Sequence, residues 1–246
     1  AVQGKLVPQD PSDEPAEALL KRIRVEKQRL IKEGKIKKNK HESVIFRRDN
    51  SHYEKRGLEV VCIDDEIPFD IPELWSWCRL NELCTKIGAG STPTGGKTIY
   101  VPEGIKFIRS QNVYNDGLKL NDISYITEEI NAKKKGSIVR SKDILLNITG
   151  GSIGRCAVVP DEFDIANVNQ HVMIIRLVEP KMRHWIHTIL ISEYIQNLIM
   201  DVQVGVSREG LSATKLMNFL IPVPPISEQN RILDFCSNIS NRLSTL

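Results

Sequence analysis

Apolar and polar positions along this chain follow two different periods, and each change of period marks a new part. Between Glu14 and Gly34, Ala16, Ile23 and Leu30 fall seven residues apart, with Leu19, Leu20 and Ile31 beside them. That spacing predicts a helix with one narrow apolar stripe facing a partner and Lys/Arg-crowded faces opposite it. Asp13 is placed to cap this helix, Pro15 suits its first turn and Gly34 its end. A polar, basic connection, KIKKNKHESVIFRRDNSHYEKRG, follows, and its centre reads as a short hairpin turning at Asp49-Asn50. In IDDEIPFDIPELWSWCRL the prolines argue against helix, and Trp75 and Trp77 begin a strand-like run.

From there to about Pro180 the apolar residues come in short runs, IKFIRSQNV, DILLNITG, SIGRCAVVP and QHVMIIRLV, which predict strands separated by turns. The 3.6-residue spacing returns in MRHWIHTILISEYIQNLIMD and predicts one helix over 182–201. SREGLSATKLMNFLIPVPP then gives a loop, a short helix and a final strand stopped by Pro224-Pro225. A further helix begins at SEQNRI with Ser227 as its cap. The expected architecture is mixed α/β (α+β in arrangement): a linking segment with a basic amphipathic helix over 1–38, an extra segment over 39–70, a compact mixed-sheet domain over 71–225 and the start of a long helix over 226–246. The chain opens on Ala and closes on an interrupted helical pattern, so it reads as a piece of something longer.

Composition narrows the class. The hydrophobic fraction is 41% and the charged fraction 26%, ordinary for a globular protein, and no apolar run approaches the ~18–20 residues that cross a bilayer. Cys62, Cys78, Cys84, Cys156 and Cys236 form no C-x-x-C pair, which predicts reduced thiols in a cytoplasmic protein rather than a disulfide framework or zinc site. The net charge of +3 conceals a strong asymmetry: Lys21 to Arg56 holds 14 Lys/Arg against 5 Asp/Glu. Such a basic block suits a nucleic-acid or acidic partner as well as a solvated helix.

Catalytic motifs fail on spacing or context. GAGSTPTGGKT, Gly88 to Thr98, ends like a phosphate-binding loop, but the position six before Lys97 is Ser91, and Pro102 and Gly104 leave no room for the helix whose amides would face phosphate. Asp161, Glu179 and Lys181 match the loose carboxylate-carboxylate-lysine pattern of metal-dependent nucleases, yet Pro180 ends the strand on which Glu179 and Lys181 would have to alternate. His184 and His187 share a helix face without an evident third ligand. A methyltransferase would grip the target amino group with a polar-Pro-Pro-aromatic motif; IPVPPIS has Val and Ile in those places.

Several ordered stretches resemble the specificity subunit of type I restriction-modification systems. AVQGKLVPQDPSDEPAEALLKRIRVEKQRLIKEGKIKK is similar to the segment joining that subunit's halves, and DDEIPFDIPELWSWCRLNELC to the start of a target recognition domain. GAGSTP, IKFIRSQNV, DILLNITGGSIGRCAVVP, NVNQHVMIIRL and GLSATKLMNFLIPVPPISEQNRI follow in the family's order; 39–63 is the least typical part. The resemblance implies a non-catalytic DNA reader without cofactor or metal. One target recognition domain would read one half of a bipartite double-stranded site. Flanking coiled-coil helices would recruit methyltransferase subunits, with a restriction subunit adding cleavage, and leave room for self-association. The chain then corresponds to a second half of the subunit or to a half-length form.

Members of such a family read different sequences, so the shared stretches are poor candidates for base readers. GAGSTP, NITGGSIGR and NVNQHV are expected to be scaffold or backbone contacts, with Gly150, Gly151 and Gly154 forming either a hairpin turn or a phosphate approach. The expected DNA contacts are polar and basic loop residues: Arg109, Ser110, Gln111 and Asn112 after IKFI, with Asn115 and Asp116 continuing that loop, Lys133, Lys134 and Lys135 for phosphate, Ser207 and Arg208 in a glycine-bounded loop, and Lys97. Gln and Asn pair with adenine edges and Arg with guanine.

Overall fold

A computed structural model describes residues 1–38, 42–203 and 210–243, with the side chains of Lys97, Gln203 and Leu243 outside the description. In chain order the elements begin with α1 (Ala16–Lys32), β1 (Val44–Arg48), β2 (Ser51–Arg56), β3 (Glu59–Cys62), β4 (Ser76–Arg79), β5 (Cys84–Ala89) and β6 (Ile105–Ile108). Next come β7 (Val113–Tyr114), β8 (Gly117–Leu118), β9 (Ser124–Ile126), α2 (Glu128–Lys133), β10 (Ile138–Val139), β11 (Ile144–Asn147) and β12 (Cys156–Val158). The rest are β13 (Ala166–Val168), β14 (Val172–Leu177), α3 (Arg183–Leu190), α4 (Glu193–Gln203), α5 (Ala213–Met217), β15 (Leu220–Val223) and α6 (Ile226–Leu243). They fall into two compact units, Ala1–Leu83 with Asn218–Leu246, and Cys84–Met217. Among the described residues no helix is long and apolar enough to cross a membrane.

In the first unit the stripe on α1 buries Ala16, Leu19, Leu20 and Ile23, and the next position on that face is Lys27, also buried. Its Nζ donates to the Asn81 carbonyl at 2.8 Å and lies 3.7 Å from Glu82 Oε2, so a charge closes an otherwise apolar face. Burial raises the Glu82 carboxyl above its usual range despite this neighbour. The expected caps work differently. Pro15 stands at the N-cap without a side-chain bond, and the Leu74 carbonyl takes the Ala16 N–H at 2.9 Å. Asp13 instead accepts from Arg231 at 2.6 Å and from the Ser227 hydroxyl at 2.5 Å, and the Arg231 bond leads in holding its carboxyl low. Ser227 therefore lies inside the first turn of α6, which starts at Ile226, and ties the helix to Asp13 rather than capping it. At Gly34, φ is +67°, the left-handed turn that ends α1.

The hairpin turns at Asp49-Asn50, with φ of 51° and 64°, values that Asp and Asn tolerate best among residues with side chains. A third strand, β3, extends it into a β1-β2-β3 meander. Glu54 on β2 is buried and receives Arg79 of β4 through Nε at 3.1 Å and Nη2 at 2.7 Å. Arg79 also reaches Glu66 at 2.7 Å and the Asn218 carbonyl at 2.9 Å. Burial alone would raise the Glu54 carboxyl; the hydrogen bonds, Arg79 first, outweigh it and hold the pKa at about 2. β4 pairs antiparallel with β15, where Pro222 faces Trp77, and Trp75 Nε1 donates to Glu228 Oε2 of α6 at 2.8 Å.

The second unit contains two four-stranded sheets, β10-β13-β6-β9 and β12-β11-β14-β5. In the first, β13 and β6 run parallel and the other pairs antiparallel; the second is antiparallel throughout. Ile108, Val139, Ala166 and Val168 of the first sheet share one core cluster with Leu145, Ala157, Val172 and Ile174 of the second. A fully buried Val, Leu or Ile side chain stabilises by roughly 1.5–3 kcal/mol, so this shared cluster joins the sheets. The helix expected over 182–201 is broken into α3 and α4. Ser192 Oγ donates back to the Ile189 carbonyl at 2.6 Å, and Gln196 Nε2 donates to the Leu190 carbonyl at 2.7 Å, so side chains replace the missing helical bonds.

Candidate nucleic-acid interface

Strand order brings several connections to one end of the second unit. Ala89 at the end of β5 and Asn147 at the end of β11 flank the start of β14, while Val168 ends β13 beside Ile108 of β6. Main-chain hydrogen bonds then lace the loops together. Gly90 N–H donates to the Val172 carbonyl at 3.0 Å and Ser91 N–H to Val168 at 3.2 Å. Asn169 N–H donates to Ile108 at 3.2 Å, Ile148 N–H to His171 at 3.0 Å, and Leu211 N–H to Ile148 at 2.9 Å. Asn147 is buried and gives Nδ2 to the Ser110 carbonyl at 2.8 Å, joining the loop after β6 to the β11–β12 turn.

This lacing explains the small residues of GAGSTP. A Cβ on Gly90 would stand 2.0 Å from the Val168 oxygen, so only glycine admits the loop so close to β13. Downstream, Gly96–Ile99 forms a single 3-10 turn. The TGGSIG stretch is the β11–β12 hairpin connection, with Gly150 and Gly154 at φ of 72° and 84°.

The exposed side of this end is polar and poor in acid. Gln111, Thr92 and Gln170 are exposed, and the Thr92 hydroxyl bonds the Gln170 carbonyl. His171 is half-buried, its Nδ1 2.6 Å from Thr149 Oγ1 and its Nε2 3.1 Å from Gln170 Nε2. The Arg109 guanidinium lies 5.8 Å from the Tyr100 ring centre, and that of Arg155 lies 4.6 Å from Tyr114. Asp116 is the single acidic residue in 90–98, 109–117, 148–155 and 169–171, and it pairs with Lys119 at 2.6 Å.

The sequence-derived candidates separate into groups. Arg109, Ser110 and Gln111 stand at this end, and Gln111 makes no side-chain hydrogen bond among the described residues. Asn112, expected as a base reader, is buried: Oδ1 accepts from the Arg109 N–H at 3.0 Å and Nδ2 donates to the Lys119 carbonyl at 2.9 Å. Its buried amide shapes the turn that presents Arg109 to Gln111 and is turned inward, away from solvent. The side chain of Asn115 likewise accepts from the Cys156 N–H at 3.0 Å. Lys133, Lys134 and Lys135 belong to α2 and the turn after it, where Asn167 Nδ2 of β13 donates to the Lys134 carbonyl at 3.2 Å. Lys133 pairs with Glu129 at 2.6 Å, and both side chains are exposed. The side chain of Lys97, and Ser207 and Arg208 altogether, lie outside the described residues. Gln170 and His171 stand in NVNQHV, where the alternation of polar residues is a local signal; Thr92 in GAGSTP and Thr149 in NITGGSIGR have no such signal.

The nuclease pattern does not assemble. Asp161 pairs with Arg183 at 3.0 Å, and Glu179 accepts from the backbone N–H of Lys181 at 3.1 Å, capping the 3-10 turn that Pro180 begins. Burial holds His184 and His187 below the usual histidine range, and His187 Nε2 donates to the Cys156 carbonyl at 2.9 Å. Among the described residues no group of three or more His, Cys, Asp or Glu side chains is placed to hold a metal ion.

Residues 72–246 match the family described as Type I restriction modification DNA specificity domain. The chain belongs to that family. Among specificity subunits, it is 28% identical to that of the EcoAI type I restriction enzyme of Escherichia coli over 240 residues, 95% of this chain and 37% of that protein. It is 47% identical to the Escherichia coli EcoEI specificity subunit over 93 residues, 38% of this chain and 13% of that protein. The specificity-domain fold is shared with the HsdS subunit from Thermoanaerobacter tengcongensis, at a TM-score of 0.54 and 18% identity over 93% of this chain and 49% of that one. A chain from a structure of type I R-M complex assembly and conformational transition matches at a TM-score of 0.55 and 20% identity, over 72% of this chain and 41% of that one. This specificity-domain chain therefore spans less than half the length of these relatives.

Proposed function

We propose that the chain is a non-catalytic DNA-recognition module of a type I restriction-modification complex, acting in the cytoplasm. The recognition domain, 71–225 with the compact unit Cys84–Met217 at its centre, reads one half of a bipartite double-stranded site. The helices of the flanking segments, 1–38 and 226–246, recruit methyltransferase subunits and, through them, the restriction subunit; their faces also suit self-association. The observation that carries this reading, beside family membership, is the laced loop end: a main-chain frame on which Gln111 and Gln170 are exposed, Arg109 and Arg155 stand half-buried beside Tyr100 and Tyr114, and the one acid is paired with Lys119.

Within the proposed interface, Gln111 and Arg109 make base-edge contacts, as do Ser207 and Arg208, while Lys97 and Lys133, Lys134 and Lys135 hold phosphate. Selection from a randomised duplex library by the chain assembled with its methyltransferase subunits tests the reading. Recovery of one half-site motif supports it, and a pool without enrichment overturns it. On the selected site, Gln111→Ala is expected to weaken binding by about 1–3 kcal/mol with an unchanged melting temperature. Replacing Lys133, Lys134 and Lys135 by Gln should instead lower affinity equally for selected and scrambled duplexes. The slope of log K against log[salt] should become shallower by about 1 for each of these lysines that holds a phosphate. A sequence-dependent loss in the triple variant would move these lysines from phosphate to base contact.

A further inference from the structure

NVNQHV leads from β13 into β14 at the laced loop end, and its side chains divide sharply. Asn167, Val168, Asn169 and Val172 are buried. Asn167 Nδ2 donates to Asn131 Oδ1 at 2.8 Å and its Oδ1 accepts the Val168 N–H at 3.0 Å, while Asn169 Oδ1 accepts the His171 N–H at 3.1 Å. Those side chains hold the loop in shape. Gln170 is the one exposed residue of the stretch, in the turn between the two strands. Its amide is nevertheless fixed from two sides. The Thr92 hydroxyl, from the loop after β5, donates to the Gln170 carbonyl oxygen, and Gln170 Nε2 lies 3.1 Å from His171 Nε2. The other ring nitrogen of His171 lies 2.6 Å from Thr149 Oγ1 in the β11–β12 turn, so the ring that steadies Gln170 is itself held. Three loops converge on one exposed amide.

A glutamine amide carries two N–H donors and two lone pairs. With His171 and Thr92 each engaging one, a single N–H and a single lone pair are left, and among the described residues neither has a partner. We propose that Gln170 reads one adenine of the half-site through that base's major-groove edge, with Thr92 and His171 positioning its amide. The inference rests on the DNA-recognition reading above and adds to it the base read at one position. The pair left over decides the class of contact. A phosphate offers only acceptors and would set the Gln170 lone pair against an anion. In the major groove adenine offers an acceptor, N7, beside a donor, N6; guanine offers two acceptors, cytosine a donor, and thymine an acceptor and a methyl group. Adenine alone among them satisfies both groups. Fixing the amide before contact also removes part of the entropy lost on binding, a support that Gln111 lacks.

The test uses the chain assembled with its methyltransferase subunits, first to select from a randomised duplex library and then in anisotropy titrations of the selected and a scrambled duplex. Gln170→Ala should relax the requirement for adenine at one position, leave the rest of the motif intact and weaken binding of the selected duplex about tenfold or more. Its side chain is exposed, so an unchanged melting temperature is expected. Thr92→Val should relax the same position less, because it frees the amide without removing it. Replacing that adenine by 7-deazaadenine, which lacks the N7 acceptor, should weaken the unaltered chain by a comparable factor and Gln170→Ala no further. An identical motif and affinity with Gln170→Ala overturn the proposal and leave the recognition reading standing. An equal loss on selected and scrambled duplexes also overturns it, since that is the behaviour of a phosphate contact. So does indifference of the unaltered chain to 7-deazaadenine at every adenine of the motif, a result that requires no variant to fold. An unchanged motif with Thr92→Val strikes the positioning role of Thr92. A library that the unaltered complex does not enrich sinks the recognition reading itself.

Discussion

Replacing Arg79 by Leu is expected to destabilise the protein by about 3–5 kcal/mol, the cost of leaving one partner of a buried ion pair alone. Glu54 is 1% exposed and takes two hydrogen bonds from Arg79, so its carboxylate would keep only Arg56, at 2.9 Å, in place of them. Urea denaturation measures the effect; a change below about 1 kcal/mol would show that the pair contributes little more than an exposed one. Removing both charges, as Glu54→Leu with Arg79→Leu, should recover much of the loss, since a buried pair and its apolar replacement differ far less than a broken pair. The pH dependence has a definite sign. In the unaltered chain the folded-state carboxyl of Glu54 sits at about 2, below its ordinary value of 4.5. Its contribution is therefore fully present above about pH 4.5 and lost as the pH falls from there through 2. In Arg79→Leu burial dominates and raises that carboxyl, so the variant's deficit should shrink as the solution is acidified.

A second large effect is expected at Gly90. The Ala side chain would meet the Val168 oxygen at 2.0 Å, and that oxygen already accepts the Ser91 N–H. Both neighbours are main chain, so relief requires the β5 loop to lift off β13. Overpacking of this kind costs about 1–3 kcal/mol. The lift also moves Thr92 from Gln170, and affinity for the selected duplex should fall about tenfold or more, with the scrambled duplex much less affected. Equal melting temperatures and equal affinities for Gly90→Ala and the unaltered chain would show that the loop does not depend on this close approach.

The elements that could be read from sequence are those whose causes are local. The seven-residue stripe of α1, the Asp49-Asn50 turn and the proline stop after β15 all depend on neighbours a few positions away. Asp13 and Ser227 look like caps for the same reason, yet each finds its partner more than 200 positions distant, and tertiary bonding overrides the local preference. The break between α3 and α4 is equally long-range, because Gln196 is held at Gly154 as well as at Leu190. Lys27 occupies a stripe position where charge is not expected, and its acceptor comes from Asn81. The site shows the limit most clearly: Gln111 and Asn112 are adjacent and chemically alike, but one faces water and the other is enclosed by its own turn. Residue type announces hydrogen-bonding capacity; only the fold decides whether that capacity has already been used.

The loop end has a consequence for how such proteins diversify. Its frame is held chiefly by main-chain groups, with Asn147, Asn112 and Gly90 as the fixed side-chain positions. Gln111 takes no part in that frame, so folding places no demand on which residue stands there. On the proposed reading of Gln111 as a base contact, drift and selection can exchange its chemistry, and a lineage can acquire a new target without first passing through an unstable intermediate.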